Sequence, residues 1–204
     1  HCKPAIYLYP KEKQLVNVKV NTKGFLSYVD PKYSDSGWTV EANPDGSLYQ
    51  VSSSKYLGNK KYDYLYYESK LPENLVKKPE KGFVVKKSEI SSLFGEILPK
   101  LGLNQVQTKD FISYWEKNLP ESNYYFVGVV DQDQINNAEP LEITPKPDSV
   151  NRVRIFFEKL DEYKPVEAPD LSTPLFNIQN SSFKVVEWGG LIKNDPNHPY
   201  ICSQ

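Results

Sequence analysis

Ser88-Glu89-Ile90-Ser91-Ser92-Leu93-Phe94-Gly95-Glu96-Ile97-Leu98-Pro99-Lys100-Leu101-Gly102 is the stretch that decides the fold class. Ile90, Leu93, Phe94, Ile97, Leu98 and Leu101 recur at helical spacing, which gives a helix one apolar face. Ser88 is placed to cap its start, and Gly102 to take the left-handed conformation just past its end. Pro99 has no N–H and crowds the turn before it, so the helix is expected to stop or kink near Leu98. A second helix is expected to start at Thr108 as its cap, to turn Phe111, Ile112, Trp115 and Leu119 inward, and to end at Pro120. The short link at residues 103–107 predicts antiparallel packing of the pair. Both apolar stripes read as core rather than as a cofactor box.

Working outward, strands lie on either side. On the N-terminal side, Ile6-Tyr7-Leu8-Tyr9 stops at Pro10, and Val16, Val18 and Val20 alternate with Asn17, Lys19 and Asn21 as in a half-buried strand. Residues 24–29 make a third strand. Trp38-Thr39-Val40-Glu41-Ala42 and Ser47-Leu48-Tyr49-Gln50-Val51 flank Asn43-Pro44-Asp45-Gly46, a hairpin signal, and Tyr62, Tyr64 and Tyr66 alternate again. On the C-terminal side, residues 124–130 are apolar on both faces, as in a covered central strand. Leu141-Glu142-Ile143 leads into a stiff Pro145-Lys146-Pro147-Asp148 turn. Val153, Ile155 and Phe157 then alternate with Arg152, Arg154 and Phe156. Residues 161–175, with Pro165, Pro169 and Pro174, read as an irregular crossing segment, and 183–188 as the last strand before Gly189-Gly190 and a tail. Strands, then helices, then strands predict an α+β fold, mainly antiparallel β-sheet and sandwich-like, with a two-helix segment near residues 88–119. Residues 1–204 are expected to form a single secreted domain.

Composition narrows the partners. The 204 residues carry 25 Lys and Arg against 26 Asp and Glu, a net charge of −1, so no long-range field attracts a phosphate backbone and nucleic acid is not expected as a partner. No apolar run approaches the ~20 residues of a membrane-spanning helix, so no transmembrane segment is expected. Two cysteines, two histidines and no methionine leave little material for metal or Cys/His chemistry, and no cofactor is expected. Cys2 and Cys202 are expected to form a disulfide, which would persist outside the reducing cytosol. His1 in place of an initiator Met is read as the mark of a processed precursor. Both point to a secreted or cell-surface setting. Asn180-Ser181-Ser182 is a glycosylation sequon if the source is eukaryotic. The excess of lysine over arginine reads as genome composition.

Two stretches go beyond pattern: Lys3-Pro4-Ala5-Ile6-Tyr7-Leu8-Tyr9-Pro10 and Val185-Val186-Glu187-Trp188-Gly189-Gly190. With Gly37-Trp38, Asn43-Pro44-Asp45-Gly46, Asp110-Phe111-Ile112-Ser113-Tyr114-Trp115 and Ile143-Thr144-Pro145-Lys146-Pro147-Asp148 followed by Arg152-Val153, they resemble a family of uncharacterised secreted bacterial proteins. The resemblance spans nearly the whole chain. It implies a secreted or surface-exposed domain and carries over no activity, cofactor or catalytic residue.

Several constellations could carry chemistry. His1 with His198 could hold copper(II) through the terminal amine and two imidazoles, a site for redox attack on polysaccharide, although neither histidine lies in a core segment. Glycoside hydrolysis needs two carboxylates about 5–9 Å apart. Glu187 beside Trp188, Glu41 and Glu142 all sit in strands near aromatics. The same residues, with Trp38, would equally line a sugar- or peptide-binding groove. Arg152 and Arg154, the only arginines, could clamp a carboxylate or phosphate, or form a solvent-side ion pair with Glu158 or Asp148. Tyrosines 7, 9, 62, 64, 66, 67, 124 and 125 suit half-buried edges and interfaces. No Gly-x-Ser-x-Gly elbow occurs, and Asp131-Gln132-Asp133-Gln134 lacks the glycine and distal glutamate of a calcium loop. The expectation is an extracellular or cell-surface interaction domain with a structural or adhesive role, capable of self-assembly or of meeting a surface glycan or protein. Its binding residues would be Glu187, Trp188, Arg152, Arg154 and Trp38. A glycan- or peptide-binding module and a secreted enzyme acting on polysaccharide are the alternatives.

Overall fold

In the computed structural model of the chain, residues 2–52, 55–172 and 182–193 are described, with the backbone alone for residues 2, 3, 52 and 55–59. The expected disulfide, sequon and copper ligands rest on His1, Asn180, His198 and Cys202, which lie outside the described residues. Strands β1 (Cys2–Tyr9), β2 (Gln14–Val20), β3 (Phe25–Asp30), β4 (Trp38–Ala42), β5 (Leu48–Ser52), β6 (Lys55–Tyr62), β7 (Leu65–Lys70) and β8 (Phe83–Val85) come first. Helices α1 (Ile90–Lys100) and α2 (Gln105–Asn118) follow, then β9 (Tyr124–Val129), α3 (Gln132–Ala138), β10 (Leu141–Thr144), β11 (Ser149–Leu160) and β12 (Lys184–Ile192). The fold is α+β and rich in antiparallel sheet.

A seven-stranded sheet has the order β3-β7-β1-β12-β11-β9-β8, and a five-stranded sheet the order β10-β2-β4-β5-β6. Every pairing is antiparallel except β11 with β12. A parallel pair needs a long crossover, and residues 161–172 run irregularly out of β11 as the prolines there predict. Strands β1 and β12 are neighbours: Ala5 faces Trp188, Ile6 faces Glu187, and Tyr7 faces Val186. Pleating then sorts the side chains. Ala5, Tyr7, Val153, Ile155, Phe157, Val186 and Trp188 join the apolar residues of α1 and α2 in one core. Ile6, Leu8, Leu65, Tyr67 and Val185 join Val16, Val18, Trp38, Val40 and Leu48 of the five-stranded sheet in another. The large sheet is therefore covered by α1 and α2 on one face and by the smaller sheet and α3 on the other.

Local chemistry moves several boundaries. Helix α1 is preceded by a 3-10 turn at Lys87–Glu89 that contains Ser88, so its N-cap is Glu89. It runs through Pro99 to Lys100. Gly102, at φ 86°, donates to the Pro99 carbonyl and Leu103 to that of Leu98, so paired bonds past a left-handed residue close the helix. Helix α2 begins a turn earlier than its expected Thr108 cap. Asn104 Oδ1 accepts from Gln107 N at 2.9 Å, and Gln107 Oε1 accepts from Asn104 N at 2.8 Å, a reciprocal capping box that leaves Thr108 buried inside the helix. Tyr62 and Tyr66 do not share a strand, because the chain turns at residues 63–64 and changes sheet. Strand β9 is paired on both sides, by β11 and the edge strand β8, and covered on both faces, as its two apolar faces predict.

The short α3 has too few apolar residues to show a helical period in the sequence; Asp131 caps it and Ile135 and Ala138 anchor it. The expected end of β12 before Gly189-Gly190 is also corrected. The strand continues to Ile192 because residues 190–192 stay paired with Ile155, Phe156 and Phe157 of β11, and the Trp115 ring of α2 lies directly on Gly190, where an added Cβ would come 2.0 Å from Trp115 Cζ2. Gly190→Ala is therefore expected to lower stability by about 1–3 kcal/mol in urea unfolding, as overpacking does. Gly95→Ala, on an open side of α1, should instead be neutral or stabilising by up to about 1 kcal/mol.

Candidate functional site

Arg152 and Arg154 sit on the face of β11 opposite Val153 and Ile155, which turns them away from α1 and α2 and toward α3. The parallel register sets Arg152 beside Glu187 of β12. Arg152 Nε donates to Glu187 Oε2 at 2.7 Å and Nη2 to Oε1 at 3.1 Å, a bidentate clasp. Its Nη1 donates to the Glu139 carbonyl at 2.7 Å and to Asn136 Oδ1 at 3.2 Å, at the C-terminal end of α3 where a cation also meets the helix dipole favourably. Arg154 Nη1 donates to Glu139 Oε2 at 2.8 Å and Nη2 to Glu187 Oε2 at 3.3 Å. Tyr67 donates to Glu187 Oε1 at 2.7 Å, and Ser69 donates to Glu139 Oε1. Two guanidinium groups and two carboxylates thus neutralise one another inside the protein, with no member more than 2% exposed.

This overturns the solvent-side ion pair with Glu158 or Asp148. Glu158 pairs instead with Lys78 and Lys193, and Asp148 accepts from the Phe183 N–H at 2.6 Å. Burial alone would raise the Glu187 carboxyl, but Arg152, Arg154 and the Tyr67 hydroxyl outweigh it and hold the group at about 2. Burial would lower both arginines, and the carboxylates beside them raise them instead. Tyr67 is pushed well up, by burial and then by Glu139 and Glu187.

The other expected site residues do not meet this cluster. Trp188 follows Glu187 but points to the opposite face, where its Nε1 donates to the Tyr7 hydroxyl at 3.1 Å and its ring packs edge-on to Phe111. Trp38 is buried in the smaller sheet, donating to the Pro31 carbonyl at 2.8 Å. Glu41 pairs with Lys13, and Glu142 accepts from Asn21 on β10's exposed side. Glu187, Trp188, Arg152, Arg154 and Trp38 are all interior groups. No cluster of three or more metal-ligating side chains occurs among the described residues.

A different surface gathers the half-buried tyrosines. No residue of β3 or β7 belongs to the core under α1 and α2, so the helix side of the large sheet is left partly uncovered beyond α2. Tyr7 donates to Asp110 Oδ2 of α2 at 2.9 Å, and Tyr9 accepts from Gln107 Nε2 at 3.0 Å. The Tyr7 ring lies 5.3 Å from that of Tyr64, and Tyr66 lies 5.5 Å from Tyr28 of β3. Tyr66 donates to Glu68. Burial pushes up the hydroxyl of Tyr7, with Asp110 adding to it, and that of Tyr66, with Glu68 adding to it. Tyr114 of α2 is pushed up to about 12 by burial and Glu68. Tyr9, Tyr64, Tyr66, Tyr28 and Tyr114 form one strip with Asp110 and Glu68, and Tyr7 lies buried beneath it. Tyrosine density in the sequence signals Tyr9, Tyr64 and Tyr66. Tyr28 and Tyr114 emerge only from strand pairing and helix placement, while Tyr7, Tyr67 and Tyr125 belong to the interior.

Comparison with models of known protein families, with curated proteins and with solved structures found no match.

The ion cluster sets a pH dependence. Glu187 has its folded value below the ordinary 4.5, so its stabilisation is present above that value and is lost as pH falls through about 2. The shift corresponds to roughly 3 kcal/mol. Urea unfolding from pH 7 downward should show this loss. Glu187→Gln should already cost about 3–5 kcal/mol at neutral pH, by leaving arginine charge unpaired, and should flatten the acid limb.

Proposed function

We propose that this chain is an extracellular or cell-surface interaction domain that binds glycan, in a structural or adhesive role, through the tyrosine strip on a layered, sandwich-like scaffold. The observation that carries the reading is the set of half-buried rings along the margin of α2: Tyr9 of β1, Tyr64 just before β7, Tyr66 of β7 and Tyr114 of α2 itself. Flat rings held against a rigid sheet offer apolar stacking at low entropic cost, and their hydroxyls stay within reach of polar ligand groups. Asp110 and Glu68 beside them add acceptors for sugar hydroxyls. An extracellular setting is supported by the cysteines at positions 2 and 202. The resemblance of the β1 and β12 sequences to secreted bacterial proteins of uncharacterised activity supports it as well, and membership of that family is part of the proposal.

Enzymatic use of Glu187 is disfavoured by its geometry, because a general acid must be protonated and reach its substrate. Glu187 is ionised in a closed pair with arginine. The test is a glycan array followed by titration of the captured glycan. Tyr66→Ala and Tyr114→Ala should each weaken binding by about 1–2 kcal/mol, roughly tenfold, as truncation of an interface tyrosine does. Tyr67→Phe should lower stability and leave affinity unchanged. Affinity that ignores both alanine variants would contradict the strip as the binding face.

A further inference from the structure

Strand β3 ends the large sheet, and among the described residues nothing pairs with its outer edge. Natural edges are usually short, charged or covered. This one has six residues and displays Phe25 at 58% and Tyr28 at 44% exposure. Simple alternation would put residues 25 and 28 on opposite faces. A register shift between Leu26 and Tyr28 puts them on the same face, while Leu26 and Val29 turn toward the five-stranded sheet. Asp30 follows Val29 and so returns to the Tyr28 side. Charge is ordered along the edge: the Lys70 ammonium lies 5.8 Å from the centroid of the Phe25 ring, at one end, and Asp30 lies at the other.

We infer that this edge pairs with β3 of a second copy of the chain, antiparallel about a two-fold axis, to make a continuous sheet across a dimer. Placing Phe25 opposite the partner's Asp30 also sets Leu26 opposite the partner's Val29. Side chains on the same face then meet on both faces. The Lys70 ammonium, held over Phe25, reaches the carboxylate of the partner's Asp30, and the two-fold axis makes this contact twice. A second copy is the occupant that supplies the reversed charge order automatically, because the strand is self-complementary. The uncovered tyrosine strips of the two copies then lie on one face of the joined sheet.

Sedimentation equilibrium of the full chain tests this. The weight-average mass should rise from one chain toward two as concentration increases through the micromolar range. Lys70→Glu alone and Asp30→Lys alone each place like charges opposite one another twice, and each should weaken self-association at least ~10-fold, which is ~1.4 kcal/mol. An equimolar mixture of the two variants restores both attractive contacts, so it should form a heterodimer where neither variant forms a homodimer. That recovery also shows that both variants are folded. A wild-type chain that stays monomeric throughout, variants that self-associate like wild type, or a mixture that does not associate would each overturn the proposal.

Discussion

The interior of the large sheet is constrained by the need to neutralise two arginines. Arg152 and Arg154 cannot be buried on β11 unless carboxylates arrive from elsewhere, and they arrive from two places: Glu187 on the parallel neighbour β12 and Glu139 at the end of α3. Charge in a low-dielectric interior is costly when unpaired and roughly neutral when fully paired, so losing one member of such a cluster costs far more than the complete cluster adds. Arg154 Nε has no acceptor among the described residues, which fits that balance. The β11–β12 register, the seat of α3 and the position of Tyr67 on β7 are all tied to one set of hydrogen bonds.

The same constraint divides the molecule by role. On one side of β12, Glu187 closes the charge cluster. On the other, Trp188 reaches the Tyr7 hydroxyl, which in turn donates to Asp110. The chain of contacts runs from the interior to the tyrosine strip, so most of the strip is held on strands and on α2 rather than on loops. Neighbouring placement of β1 and β12 gives the stretches at residues 3–10 and 185–190 a shared structural task at the sheet centre.

What could be read from sequence follows from which forces are local. Val16, Val18 and Val20 announced β2 because one-sided burial imposes a period of two, and the 90–101 stripe announced α1 for the corresponding helical reason. The α2 start is readable in principle, since Asn104 and Gln107 have capping-box spacing, but the apolar stripe that marks the helix begins only at Phe111. Pleating alone separates Glu187 from Trp188, so their adjacency was a poor basis for a shared site. The ion cluster was different. Its members lie at residues 139, 152, 154 and 187, and only strand register and the placement of α3 bring them together. Arginines alternating with valine and isoleucine therefore looked like a wet face. The tyrosine strip was half legible, as composition without grouping.

The most direct test of the central constraint is a double-mutant cycle on Arg154→Met and Glu139→Gln, read by urea unfolding at neutral pH. A charge pair buried in one network predicts a coupling energy of about 1–3 kcal/mol, with the double variant less damaged than the sum of the singles. Additivity within about 0.5 kcal/mol would mean that the two groups do not depend on each other, and would contradict the account.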